Sequence, residues 1–124
     1  MKLRVKQNTL RLRLTQTEVA ALSAGETLCD ITQFSLYQKL SIQLGTWNLE
    51  VADAKFENDT ITINCPISQT MQWANNDDEG MYFTIDNDGD EPLHLAVEKD
   101  YQCLKPREEE RDNFPNPTSD TTKC

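Results

Sequence analysis

The chain of 124 residues carries 12 basic and 21 acidic side chains, a net charge of −9. That balance excludes general nucleic-acid binding, because phosphate would be repelled over most of the surface. The length is that of one ordinary domain, and no apolar run approaches the about 18 residues that a membrane helix needs.

Residues 2–6 alternate, with Leu3 and Val5 on one face and Lys2, Arg4 and Lys6 on the other, which predicts a half-buried strand. Gln7-Asn8 supplies a tight turn, and Leu10, Leu12 and Leu14 alternate with Arg11 and Arg13 in a second strand. In an antiparallel hairpin the outward side chains share a face, so five cations crowd one patch. Thr15 to Glu18 reads T-x-x-E, a capping box that opens a helix, and Gly25 supplies its left-handed stop. That helix is too short to be stable alone and must dock on a sheet. Residues 27–36 predict an extended segment, and Leu40, Ile42 and Leu44 predict a strand that ends in a turn at Gly45.

A second half then repeats the first. Trp47, Leu49 and Val51 alternate, Asn58-Asp59 forms a turn, and Ile61, Ile63 and Cys65 alternate in the next strand. Pro66 and Asn76 stand where Thr15 and Gly25 stood, as start and stop of a second helix; its inward residues, Ile67, Met71 and Ala74, are offset by one from Val19 and Leu22. Strands over Met81 to Ile85 and Leu93 to Val97 flank an acidic turn at residues 86–91.

The expected fold is therefore α+β. Two ββαββ halves, residues 1–44 and 45–104, build a mostly antiparallel, curved or barrel-like sheet of about eight strands with two short helices. Residues 1–104 form the single domain. Residues 105–124 are an acidic, proline-containing tail whose one large apolar side chain is Phe114.

Three groups of residues invite a chemical reading. Lys2, Arg4, Lys6, Arg11 and Arg13 form a basic patch suited to a phosphate, a carboxylate or an acidic partner segment. The competing expectation is that these cations pair across the sheet with Glu50, Asp53, Glu98 or Asp100, and the abundance of acid favours it. The turn at 86–91 is rich in carboxylates, but Gly89 comes too early for a calcium loop and Val97 stands where the closing Glu belongs. His94, the only histidine, could join Cys103 and Asp100 in a thiol site, although loose spacing of this kind specifies little. Glycine-rich phosphate loops and a nucleophile elbow are absent. The four cysteines, Cys29, Cys65, Cys103 and Cys124, lack C-x-x-C spacing, and no secretory apolar core follows Met1. Free thiols in a reducing cytoplasm are the expectation.

The chain resembles a bacterial family of small uncharacterised proteins, a domain of unknown function. The resemblance lies in Arg11-Leu12-Arg13-Leu14-Thr15 with Glu18-Val19, in Trp73-Ala74, in the run from Leu95 to Leu104, and in Phe114-Pro115-Asn116-Pro117. It implies a soluble bacterial protein with a recurrent tail that packs back on the body, and it implies no mechanism. The functional expectation is a cytoplasmic, non-enzymatic module without cofactor or metal. It would bind a protein partner or a small anion through the basic hairpin or the tail, with the thiol protein or enzyme as the alternative.

Overall fold

A computed structural model describes residues 1–101, Asp112 and Phe114. Ten elements follow in chain order: β1 (Lys2–Lys6), β2 (Thr9–Leu14), α1 (Gln16–Ser23), β3 (Leu28–Gln33), β4 (Lys39–Trp47), β5 (Asp53–Glu57), β6 (Thr60–Pro66), α2 (Ile67–Ala74), β7 (Gly80–Ile85) and β8 (Leu93–Lys99).

Local chemistry explains the first half closely. Gln7 and Asn8 both have positive φ (48° and 60°), the backbone of a tight two-residue hairpin turn. Thr15 caps α1: the Glu18 amide donates to its hydroxyl at 3.3 Å, and the Thr15 amide donates to the Glu18 carboxylate at 2.9 Å. At the other end Gly25 sits at φ 91°, its amide donating to the Leu22 carbonyl while the Glu26 amide reaches the Ala21 carbonyl. Those two bonds satisfy carbonyls that the helix end would otherwise leave bare.

The eight strands do not form one curved or closed sheet. They form two four-stranded mixed sheets, ordered β1-β2-β8-β7 and β3-β4-β6-β5. Hairpin neighbours pair antiparallel, while β2 with β8 and β4 with β6 pair parallel. The two ββαββ halves are thus interlaced: each sheet joins the first hairpin of one half to the second hairpin of the other. The duplication is closer than the sequence indicates. The pair Lys2↔Arg13 corresponds to Asp53↔Asn64, a shift of 51, and Leu28↔Leu44 corresponds to Met81↔Val97, a shift of 53. Two added residues after α2 account for the difference. Even the bond from the His94 amide to the Asn8 carbonyl recurs, from the Ser41 amide to the Asp59 carbonyl, both 3.0 Å.

Several local expectations change accordingly. Gly45 lies inside β4 rather than in a turn, so the first half runs on to Trp47. Leu49 and Val51 are exposed in a bend and not in a strand. In α2 the buried residues are Thr70 and Trp73, which correspond to Val19 and Leu22 without any offset, and Met71 is half exposed. Thr70 tolerates burial because its hydroxyl donates to the Pro66 carbonyl at 2.8 Å, four residues back. Asn76 does not take the left-handed conformation of Gly25.

Leu12, Leu14, Leu22, Leu44, Ile63, Cys65, Leu95 and Val97 form the driest part of a single core. Each helix touches strands of both sheets and the other helix, so α1 and α2 close the core. Burial pushes the Cys65 thiol up to about 12, the behaviour of a small apolar side chain rather than a nucleophile. Among the described residues no helix is long and apolar enough to cross a membrane. Phe114, expected to anchor the tail on the body, is fully exposed; Cys103 and, apart from Asp112 and Phe114, the tail of residues 105–124 lie outside the described residues.

Candidate functional site

The outward face of the sheet β1-β2-β8-β7 gathers all five predicted cations. Strand register sets them in rows. Lys2 stands opposite Arg13, Arg13 beside Glu98, and Glu98 opposite Gly80. Arg4 stands opposite Arg11, Arg11 beside Ala96, and Ala96 opposite Tyr82. Lys6, Thr9, His94 and Thr84 make the third row.

At the centre lies a carboxylate that is almost wholly enclosed. Glu98 is 4 % exposed, although its strand position points it away from the core. One of its oxygens lies 3.1 Å from Arg11 Nε and 3.9 Å from Arg13 Nε. The other accepts the Tyr82 hydroxyl at 2.7 Å. Space for this comes from Gly80, where a Cβ would sit 2.7 Å from Glu98 Cγ and 2.9 Å from the Val97 carbonyl. The Tyr82 ring is exposed, but its hydroxyl tucks in towards the carboxylate. Burial of that hydroxyl, followed by its bond to Glu98, pushes the phenol up to about 12, and the nearby Glu79 adds to the effect.

The cross-sheet pairing anticipated for the cations is present among the described residues: Lys2 Nζ meets Asp100 at 2.8 Å, and Arg11 and Arg13 meet Glu98. Arg4, Lys6, Gln7, Thr9 and Arg11 line a depression of about 210 Å³. The β1–β2 turn itself is pinned to the neighbouring loop, as the Asn8 side-chain amide donates to the carbonyls of Glu91 and Pro92 at 3.2 and 2.7 Å.

Among the described residues the other candidates do not assemble. His94 lies near the start of β8 and Asp100 just past its end, six residues on, hence about 20 Å away. Asp100 is also engaged by Lys2, and Cys103 falls outside the described residues. In the turn at 86–91, side-chain oxygens of Asp86 and Asn87 accept the amides of Asp88 and Gly89 at 3.0 and 2.9 Å, so turn chemistry accounts for them. A larger hollow of about 680 Å³ lies between α1 and α2, walled by Val19, Ala20 and Ala74. Among the described residues its two charged ones have other partners: Lys99 donates to the Asn76 carbonyl at 2.6 Å and stands over the Trp73 ring, and Asp100 holds Lys2.

Sequence reasoning missed Gly80 and Tyr82, which make Glu98 possible. Both sit at the right alternation to face outward, but nothing local says that β7 lies beside β8 at that register.

The interlaced duplication supplies an internal comparison. On the second sheet the positions of Lys2, Arg4 and Lys6 hold Asp53, Lys55 and Glu57, and those of Arg11 and Arg13 hold Thr62 and Asn64. Gly45 replaces Glu98, and Cys29 replaces Tyr82. The same scaffold therefore forms without the cationic set.

The chain matches a family of unknown function, DUF7009, over residues 1–118, and belongs to it. No curated protein and no solved structure matches it significantly.

Proposed function

We propose that this member of DUF7009 is a cytoplasmic, non-enzymatic bacterial module that binds an anionic ligand or an acidic partner segment through the outward face of β1 and β2. The observation that carries the reading is the contrast between the two sheets. A buried carboxylate with three charged or polar groups converging on it is expensive to assemble, since desolvation offsets most of its Coulombic gain. The sister sheet dispenses with the whole arrangement, so stability of the fold does not call for it. What the arrangement does is hold Arg11 and Arg13 in place beside Arg4 and Lys6, within a protein that is otherwise strongly acidic. Local concentration of positive charge of this kind steers and orients anions. Free thiols at Cys29 and Cys65 accord with a reducing compartment.

The test is a thermal-shift screen of the full chain against small oxyanions, carboxylates and a poly-glutamate peptide at fixed ionic strength, run beside the variant Arg4→Glu/Lys6→Glu. Both residues are exposed on the edge strand, so the variant should fold. The wild type is expected to be stabilised by at least one anion class and the variant by none. A wild type indifferent to every anion, or a variant that responds as the wild type does, refutes the reading.

A further inference from the structure

Away from the basic face, one border of the second sheet is unlike the other borders. Among the described residues the sheets end in β1, β7, β3 and β5. Side chains on a border strand decide whether another strand can dock beside it, and charge there is the usual deterrent. β1 sets Lys2, Arg4 and Lys6 outward, and β5 sets Asp53, Lys55 and Glu57 outward. β7 is bracketed by Asp77, Asp78 and Glu79 before it and by Asp86, Asp88, Asp90 and Glu91 after it. β3 sets Cys29, Ile31 and Gln33 outward, none of them charged. Its one charge, Asp30, falls on the other face by alternation and lies 3.5 Å from the Met1 amino group.

Beyond β3 the chain stays uncharged and turns apolar. Residues 31–38 read I-T-Q-F-S-L-Y-Q. Ile31, Phe34, Leu36 and Tyr37 are 59 %, 69 %, 78 % and 89 % exposed. The loop that carries three of them is held in shape. The Phe34 and Ser35 amides donate to the Gln38 carbonyl at 2.8 and 3.2 Å, and the Gln33 side-chain amide donates to the Ser35 carbonyl at 3.1 Å. The internal repeat shows that the scaffold does not call for these apolar groups. At a shift of 53 the loop 34–38 corresponds to 87–91, of equal length. Ile31, Phe34, Leu36 and Tyr37 then fall on Thr84, Asn87, Gly89 and Asp90.

We propose that β3 and the β3–β4 loop are the interface for a second copy of this chain, joined about a twofold axis by antiparallel pairing of the two β3 strands. The proposal goes beyond the anion-binding reading and does not depend on it. Two identical strands paired antiparallel are self-complementary, because each offers its twin the donors and acceptors that the twin needs. Phenylalanine and tyrosine each present about 150–250 Å², so the four exposed side chains leave on the order of 500 Å² per copy. That is the upper end for a patch on a monomer. Two copies bury about 1,000 Å² through them, the threshold of a specific interface, before the strand edges are added. The association is accordingly weak, with a dissociation constant of roughly 1–100 µM.

Charge favours a second copy over a bilayer. β4 runs parallel to β6 and β8 parallel to β2, and the paired helices follow β2 and β6. The loops before β4 and β8 therefore share the end of the molecule away from the helices. A membrane that took up Phe34, Leu36 and Tyr37 would meet the carboxylates of residues 86–91 at the same end. A neutral strand and loop instead let two chains of charge −9 touch where neither is charged.

The experiment is sedimentation equilibrium of the full chain over about 1–300 µM, joined to hydrogen exchange at both ends of that range. The mass should rise from 14.2 kDa towards twice that value. Raising salt from about 0.05 to 0.5 M should tighten the association several-fold, by screening the repulsion between copies. Amides of residues 28–33 should exchange more slowly in the concentrated sample, and those of residues 80–85 should not change. Ile31→Lys and the pair Phe34→Asn/Tyr37→Asp should each weaken association at least about tenfold. Thr84→Lys on the sister border should change nothing. All these positions are exposed, and circular dichroism of dilute samples checks that each variant folds. A chain that stays monomeric overturns the proposal; if that monomer co-sediments with phosphatidylcholine vesicles, a bilayer is the occupant instead. A dimer that survives Ile31→Lys, weakens with salt, or leaves residues 28–33 exchanging as in the dilute sample overturns it too. The anion screen above reads other residues, so either reading can fail alone.

Discussion

Replacing Glu98 by Gln tests whether one carboxylate holds the basic face together. Glutamine keeps the shape and keeps an oxygen for the Tyr82 hydroxyl, so the change removes charge and little else. A unit charge about 4 Å from a guanidinium is worth roughly 4 kcal/mol at an effective dielectric of 20, and Glu98 serves two such groups. Much of that gain is consumed by stripping water from a carboxylate that is 5 % exposed at its side chain. The variant does not recover this cost in full, because Arg11 and Arg13 remain as neighbouring cations, 25 % and 16 % exposed, with the Glu98 charge removed from beside them. Breaking a fully buried pair costs about 3–5 kcal/mol. Partial exposure lets both guanidinium groups turn towards water, so the expected loss is about 2–3 kcal/mol. In a domain near 100 residues that lowers the melting temperature by roughly 10–20 °C. Urea and thermal denaturation of the purified protein measure it directly. Because the cause is repulsion, adding Arg11→Gln to Glu98→Gln should restore more than half of the loss, and 0.5 M salt should restore a smaller part of it. A single variant within about 0.5 kcal/mol of wild type, or a double variant no better than the single, would refute the argument.

Two further outcomes follow from the same cluster. Gly80→Ala places a Cβ 2.7 Å from Glu98 Cγ and 2.9 Å from a backbone oxygen, and should cost about 1–3 kcal/mol in urea denaturation. Gly45→Ala, whose nearest atoms are side-chain oxygens at 3.1 and 3.2 Å, should cost less. Absorbance titration of the phenols should show a tyrosine ionising near 12, and Tyr82→Phe should remove that step. Since the folded value lies above the ordinary 10, stability owed to Tyr82 is complete below about pH 10 and is lost as pH rises towards 12. Denaturation midpoints of wild type and Tyr82→Phe should converge across that window.

Much of this protein is written in short-range pattern. Alternation at residues 2–6 and 9–14 set the first hairpin and the sign of its outer face, Thr15 and Glu18 set the start of α1, and Gly25 its end. The repetition of that pattern some 51 residues later revealed the two halves. These features are legible because each is enforced by atoms a few residues apart: a pleat with a period of two, a cap bond, a left-handed glycine. Only the tertiary structure decided which hairpins share a sheet. Period-two alternation says which way a side chain points and not which strand lies beside it, so the parallel seams of β2 with β8 and β4 with β6 left no local mark. The same limit hid the role of Glu98. Its charge and its outward position were visible, but its burial depends on Gly80 and Tyr82 from one neighbouring strand and on Arg11 and Arg13 from another some 85 residues away. Burial of a charge is a property of what packs over it, and packing is settled only when the whole chain has found its partners.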